Sequence, residues 1–176
     1  MMQLKGIHGT TKYHADNIEK NGFIIPVTGS GKGGRGLYFW NYDLDKRTAL
    51  ILAHKWWEFA CNKKKPIYDL TKDCSLVSFD VRVNIESEKI LDFVQNHEIK
   101  EKFTLAYPID LDDDEFSYGA KLDLFIDKLE KASGLKFDVV KLGLSVPNLK
   151  NVPFANSFPA LVIKNQINVI LNEVIR

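Results

Sequence analysis

The chain has 176 residues, 45% of them hydrophobic and 27% charged, a length and balance that suit one soluble globular domain and exclude collagen-like and disordered classes. Lys plus Arg number 24 and Asp plus Glu 23, so no global field draws the whole protein to nucleic acid or anionic lipid, and any such contact must be local. No apolar run approaches the ~20 residues of a membrane span, and the segment Met1 to Gly6 lacks a signal peptide's apolar stretch, so a cytoplasmic protein without membrane contact is expected.

A short strand is predicted through Lys5, Gly6, Ile7 and His8. Thr10 or Thr11 then offers an N-cap for a helix that runs to Lys20 and stops at Asn21-Gly22. Phe23-Ile24-Ile25 reads as a second strand. From Gly29 to Gly36 five of eight residues are glycine, which costs too much backbone entropy for regular structure and predicts a loop. Leu37-Tyr38-Phe39-Trp40 is aromatic and bounded by turn residues, as a strand should be. Asp43 or Asp45 caps a helix to about Cys61, whose dense apolar content places Trp56 and Trp57 in the core. Leu76 to Val83 alternates Val77, Phe79, Val81 and Val83 with Ser78, Asp80 and Arg82, the pattern of a half-buried strand. An amphipathic helix is predicted from Ser87 to about Lys100, and another from Tyr118 to Ala132, ended by Gly134. Phe137 to Leu144, Ala160 to Lys164 and Ile167 to Leu171 read as the last strands. Either Asn165-Gln166 turns between the final two, or one long bent strand covers both. Helices and strands alternate without a regular βαβ rhythm, which predicts a mixed α+β domain spanning residues 1–176.

The glycine loop does not satisfy the phosphate-binding motifs. Around Gly31-Lys32 a P-loop would need Gly at Pro26 and Ser or Thr at Gly33. Gly29-x-Gly31-x-x-Gly34 has dinucleotide-fingerprint spacing, but a strand rather than a helix follows it. Cys61 and Cys74 lack metal-finger spacing; a disulfide between them stays open, with two reduced, inert thiols expected in a cytosolic chain. His14, His54 and His97 lack metal-ligand spacing, and His54 is the one placed to line a pocket. No Gly-x-Ser-x-Gly elbow occurs. Lys63-Lys64-Lys65 reads as a solvated cluster at a helix C-terminus, with a nucleic-acid phosphate contact as the sharper alternative.

Taken together, His8-Gly9-Thr10, a helix, Gly22-Phe23, a glycine loop, Gly36-Leu37-Tyr38-Phe39-Trp40 and an alanine-containing helix form an ordered series over residues 6–60. This series resembles the first half of the NAD site of the ADP-ribosyltransferases, in the branch of diphtheria toxin and the poly-ADP-ribose polymerases. The resemblance implies a split mixed β-sheet with flanking helices and NAD as co-substrate. It makes His8 and Tyr38 the catalytic pair, and His8, Gly9, Thr10, Arg35, Gly36, Tyr38 and Phe39 the cofactor-binding set, with no metal. A neutral His8 would bond a ribose hydroxyl with help from Thr10, Gly9 would let the carboxamide approach, and Tyr38 would stack on the cationic nicotinamide. Arg35 would meet the pyrophosphate, while Phe39 and Trp40 read as core or pocket wall.

Family habit further implies transfer of ADP-ribose to a protein or nucleic acid, as a toxin or defence effector countered by an antitoxin or immunity protein. NAD hydrolysis and a non-catalytic NAD, ADP-ribose or partner-binding module are the alternatives. The departure from the family is at Ala160, which aligns where a glutamate usually begins a late strand. A methyl group cannot stabilise an oxocarbenium ion. An acid from elsewhere (Asp80, Asp110, Asp114 or Glu115), a base supplied by the substrate, or binding without catalysis would each account for it.

Overall fold

The computed structural model describes residues 1–27, 31–108, 110, 114–147, 149, 157–165 and 169–176, without the side chains of residues 115 and 116. Gly29 and Ser30 of the glycine loop, residues 111–113 of the acidic stretch, Gln166 and Ile167 thus lie outside the described residues, as does the side chain of Glu115. In chain order the elements are β1 (Met2–Thr11), α1 (Lys12–Asn21), β2 (Leu37–Asn41), α2 (Lys46–Asn62), β3 (Leu76–Ile85), β4 (Ile90–Asp92), α3 (His97–Ala106), α4 (Glu115–Ser133), β5 (Val139–Leu144), β6 (Phe158–Ile163) and β7 (Val169–Ile175). The result is an α+β chain with one mixed seven-stranded sheet in the order β4-β5-β6-β2-β1-β3-β7, in which only β4 and β5 pair in parallel. Among the described residues no helix is long and apolar enough to cross a membrane.

Local chemistry sets the helix ends. Thr11, Asp45, Asn96 and Asp114 each accept a backbone N–H from the first turn of α1, α2, α3 and α4 respectively. Gly22 and Gly134 close α1 and α4 at φ 76° and 73°, where a side chain would be strained.

Three segments depart from the sequence reading. Phe23-Ile24-Ile25 is not a strand: after the Gly22 turn Phe23 drops into the core, while Ile24 stays 63% exposed. The helix expected from Ser87 is a short 3-10 turn, Ser87–Lys89, followed by β4. Its apolar residues obey period 2, with Ile90 on one face and Leu91 and Phe93 on the other, and backbone bonds to β5 on either side fix it as a strand. Finally, β6 and β7 are not a hairpin, because β6 lies between β5 and β2 whereas β7 forms the far edge beside β3.

The seven strands divide into two groups. β1 and β3 pair over ten positions, but the register between β1 and β2 comprises only Gly6–Asn41 and Ile7–Trp40. One face of both groups feeds a single cluster that includes Leu4, Val77, Phe79, Val81 and Val83 from β1 and β3, and Phe39, Val139, Leu161 and Ile163 from β2, β5 and β6. α1 adds Ala15 and Ile18 to it, and the stretch after α1 adds Phe23 and Ile25, so this face of the sheet carries one continuous core. Its opposite face carries α2 over Ile7, Trp40 and Ala160, and α3 and α4 over Val140, Leu142 and Val162.

A buried polar knot fastens β7. Asp80 on β3 is 2% exposed and receives bonds from Tyr42 (2.6 Å), Asn172 (2.9 Å) and Lys46 (2.8 Å), and Lys46 also binds Glu173. Burial alone would raise the Asp80 carboxyl, but these donors outweigh it and hold the group below the usual carboxylate range. Burial and the same carboxylate push Tyr42 up to about 12.

Removing the carboxylate with Asp80→Ala strands two neutral donors and leaves Lys46 with Glu173 as its acidic partner; it should cost about 2–4 kcal/mol, less than breaking a fully buried pair because Lys46 keeps Glu173 and is partly solvated. A depressed carboxyl contributes fully above its unfolded value and loses that contribution as pH falls through its folded one. Urea titrations should therefore show wild type losing its advantage over Asp80→Ala below about pH 4.

Candidate functional site

The site is built where the β1–β2 ladder ends. On the β2 side pairing stops at Ile7 and Trp40, while on the other side β1 continues paired to β3 through Thr11. Strand alternation sends His8 and Thr10 to the face of Val77 and Phe79 and Gly9 to the α2 face. Cross-strand partners confirm the sides, since His8 lies opposite Phe79, and a Cβ on Gly9 would sit 2.8 Å from the Ala53 carbonyl on α2.

His8 crosses the gap in the ladder. Its Nδ1 lies 2.9 Å from the backbone oxygen of Tyr38, and a carbonyl only accepts, so Nδ1 carries the proton and donates it. In neutral imidazole Nε2 is then the acceptor. Burial lowers the pKa of His8; the bond to Tyr38 works against this, and the nearby charge of His14 lowers it further. The ring is half-buried, with Phe23 edge-on and Phe39 tilted against it, each at a centroid distance of 5.6 Å. Gly22-Phe23 therefore has a packing role: the glycine ends α1, and the phenyl ring walls His8.

Two residues that the sequence reading did not nominate complete this crevice. Tyr68, half-buried in the stretch between α2 and β3, brings its phenol close enough to the buried Thr10 for the two side chains to influence each other, and its ring lies 5.7 Å from that of His14 on α1. No motif marks Tyr68. It arrives because the chain after α2 folds back, with Lys12 and Tyr13 donating backbone bonds to Ser75 and Asp73.

The other nominated residues are not gathered around His8. Phe39 shares its face as a 1% exposed core residue. Tyr38 points the opposite way: it lies directly across from Val162 on β6, and its hydroxyl donates to the Gly34 carbonyl at 2.6 Å. Tyr38 touches His8 through its backbone oxygen. Arg35 is exposed, and its backbone N–H donates to Asp123 on α4 at 2.8 Å.

The described glycines of the loop are accounted for by packing. A Cβ at Gly34 would meet the Asp123 carboxylate at 2.3 Å, one at Gly36 (φ +152°) would meet Val162 at 2.5 Å, and one at Gly119 on α4 would meet the Gly31 carbonyl at 2.1 Å. Lys164, 7% exposed, reaches both the Gly33 carbonyl at 2.5 Å and Asp123 at 2.6 Å. A carboxylate of the chain itself thus sits where the loop presents its N–H of Arg35.

None of the described acids joins His8. Asp80 lies across from Ile7, hence on the α2 face and within the β7 knot. Asp110 is exposed, and Asp114 is exposed and caps α4. Ala160 lies across from Trp40, 2% exposed under α2, so its position also faces away from His8. Among the described residues, no group of three or more His, Cys, Asp or Glu is placed to hold a metal ion. His54 is exposed beside Trp57 and lines no part of this crevice; Trp56 and Trp57 are half-buried.

Comparison of the chain with protein-family models, with curated proteins and with solved structures gives no match.

Two outcomes follow from this geometry. NMR titration should place the His8 imidazole below 6.5. Because the unfolded ring takes up its proton at a higher pH than the native one, native stability should fall as pH drops below about 6.5, and His8→Ala should flatten that slope. Asp123→Ala leaves the Lys164 ammonium buried and unpaired against the glycine loop, and should lower unfolding free energy by about 2–4 kcal/mol in denaturant titrations.

Proposed function

We propose that this chain is an ADP-ribosyltransferase-type domain that binds NAD at the open end of the β1–β2 seam and passes ADP-ribose to a macromolecular acceptor, protein or nucleic acid. The observation that carries the reading is the orientation of His8. Its Nδ1–H is committed to the Tyr38 carbonyl, which leaves Nε2 to accept a hydroxyl proton in a half-buried crevice. A ribose hydroxyl is the natural donor there, with the strand edge from His8 to Thr10 beside it, beyond the last β1–β2 pair.

The series of residues resembling the family's cofactor site supports the choice of NAD over other hydroxylated ligands. Tyr38 serves in this reading as the group that fixes the imidazole. Tyr68, half-buried beside His14, is an aromatic side chain that keeps solvent contact near Thr10, and a cationic ring against it would gain ~0.5–2 kcal/mol. In the transfer itself the bond from ribose C1′ to nicotinamide breaks with its electron pair leaving on the nicotinamide nitrogen, and an acceptor nucleophile bonds C1′ and loses its proton. The work asked of the protein is positioning and charge stabilisation.

A second reading is favoured by Ala160 and Asp80. With the family's glutamate position filled by a buried methyl and Asp80 bound on the far face, the same crevice would hold NAD or ADP-ribose without breaking it.

Calorimetry with NAD and an assay of released nicotinamide separate these readings. Wild type should bind NAD, and His8→Ala, checked for folding, should bind at least about tenfold more weakly, as loss of a hydrogen bond worth ~1.5 kcal/mol requires. Release that vanishes in His8→Ala supports transfer or hydrolysis; binding without release supports the non-catalytic module. Equal NAD affinity in the folded variant and wild type would overturn both.

A further inference from the structure

Residues 62–75, between α2 and β3, hold four lysines and two aspartates, a net charge of +2 in a chain whose total is +1. The aspartates are turned onto their own loop: Asp69 accepts the N–H and hydroxyl of Thr71, and Asp73 those of Ser75. Lys63, Lys64, Lys65 and Lys72 are exposed, and among the described residues none of them forms an ion pair, unlike Lys12, Lys46, Lys55 and Lys89. Aromatic rings stand among these cations. The Lys72 ammonium lies over the Tyr13 ring at 5.6 Å, Tyr13 meets His14 edge-on at 5.3 Å, and His14 lies 5.7 Å from Tyr68. Tyr13 is 51% exposed and His14 is exposed as well. Lys65 comes three residues before Tyr68, which keeps their Cα atoms within ~11 Å whatever path the chain takes. The row of rings is fixed at the end of β1. Tyr13 and His14 occupy the first turn of α1, where the His14 N–H bonds the Thr11 hydroxyl and the N–H groups of Lys12 and Tyr13 bond the carbonyls of Ser75 and Asp73. That is the end at which β1 runs on through His8 and Thr10 past its last pair with β2.

We propose that this lysine and ring surface binds single-stranded nucleic acid and leads it to the crevice as the acceptor of the transfer. Lysines alone would suit an acidic protein or an anionic lipid equally well. Exposed rings set among them match a strand in which a phosphate and an unpaired base recur at every nucleotide, whereas a duplex keeps its base faces covered. Lys72 beside Tyr13 offers one such pair, a cation for the phosphate and a ring for the base. The surface stands by itself, while the acceptor role rests on the NAD reading, in which Tyr68 at the inner end of the row receives the nicotinamide. The strand then stacks on Tyr13 and His14. A base or sugar heteroatom next along it bonds ribose C1′, nicotinamide leaves with the electron pair of the broken bond, and the heteroatom's proton passes to solvent.

Fluorescence anisotropy with labelled single strands of about 12 nucleotides, RNA and DNA of mixed sequence, tests the surface on the whole chain without NAD. Binding of either sugar type supports it, and the tighter one names the acceptor. The affinity should fall about fifty-fold between roughly 50 and 200 mM salt, as four phosphate contacts on a single strand require. Replacing Lys63, Lys64, Lys65 and Lys72 together with Ala should flatten that salt dependence, and Tyr13→Ala, at an exposed position that leaves the core intact, should weaken binding about tenfold. Absence of saturable binding at low salt, equal binding of a duplex, of poly-glutamate or of anionic vesicles, or unchanged affinity in the folded variants would overturn the surface. Calorimetry with NAD on the same samples separates the two readings. NAD bound without the strand leaves the cofactor reading standing and removes this one; a strand bound without NAD keeps the surface and overturns its acceptor role.

Discussion

Past Ile7 and Trp40 the two central strands stop pairing, and the imidazole of His8 spans the gap with one hydrogen bond to the Tyr38 carbonyl. The bond itself is modest, ~0.5–1.5 kcal/mol. Its structural consequence is larger, because it connects two groups of strands whose backbone register spans only two residue pairs. Phe23 packs against both Phe39 and Phe79, and Phe23 and Phe39 also contact the imidazole ring. One proton position on one ring therefore ties the seam, the aromatic core and the candidate ligand acceptor together. A protonated His8 would lose Nε2 as an acceptor, which burial opposes.

The same economy of space governs the glycines. Gly9 admits Ala53 of α2, Gly119 admits the backbone of Gly31 and Gly34, and Gly34 admits the Asp123 carboxylate. Glycine here allows helices to lie directly on backbone, and that requirement would exist with or without a ligand. The clamp of Asp123 and Lys164 holds the loop from α4 and from the end of β6. It fixes the entry to β2, and so the position of Tyr38, whose carbonyl orients His8. The loop thus bears on the crevice indirectly, by way of the strand it precedes.

Much of the local structure was legible because its causes are local. Thr11 and Asp45 cap helices where a short polar side chain precedes an apolar stripe, and Gly22 and Gly134 stop them where φ turns positive. β2 and β3 were readable from aromatic and β-branched runs. β4 was not, since Ile90, Leu91, Phe93 and Val94 fit helical spacing nearly as well as alternation, and only pairing with β5 decides between them. The place of β7 depends on Asp80, Lys46 and Asn172, which are far apart in sequence. For the site, His8 and the edge it stands on could be nominated from His8-Gly9-Thr10. The face that each side chain occupies could not. His8 and Tyr38 come from strands whose register is set by distant packing, and a shift of one residue would exchange their sides. Tyr68 reaches Thr10 only through the fold-back of the segment after α2.

The central claim is that His8 presents Nε2 to a ribose hydroxyl at the end of the seam. A crystal structure with a non-hydrolysable NAD analogue tests it most directly. The account predicts a ribose hydroxyl within hydrogen-bond distance of His8 Nε2, with Nδ1 still donating to the Tyr38 carbonyl and the nicotinamide on the Tyr68 side of the sheet. An analogue bound at the glycine loop in place of the Asp123 carboxylate, or anywhere that leaves His8 Nε2 without a ligand contact, would contradict it.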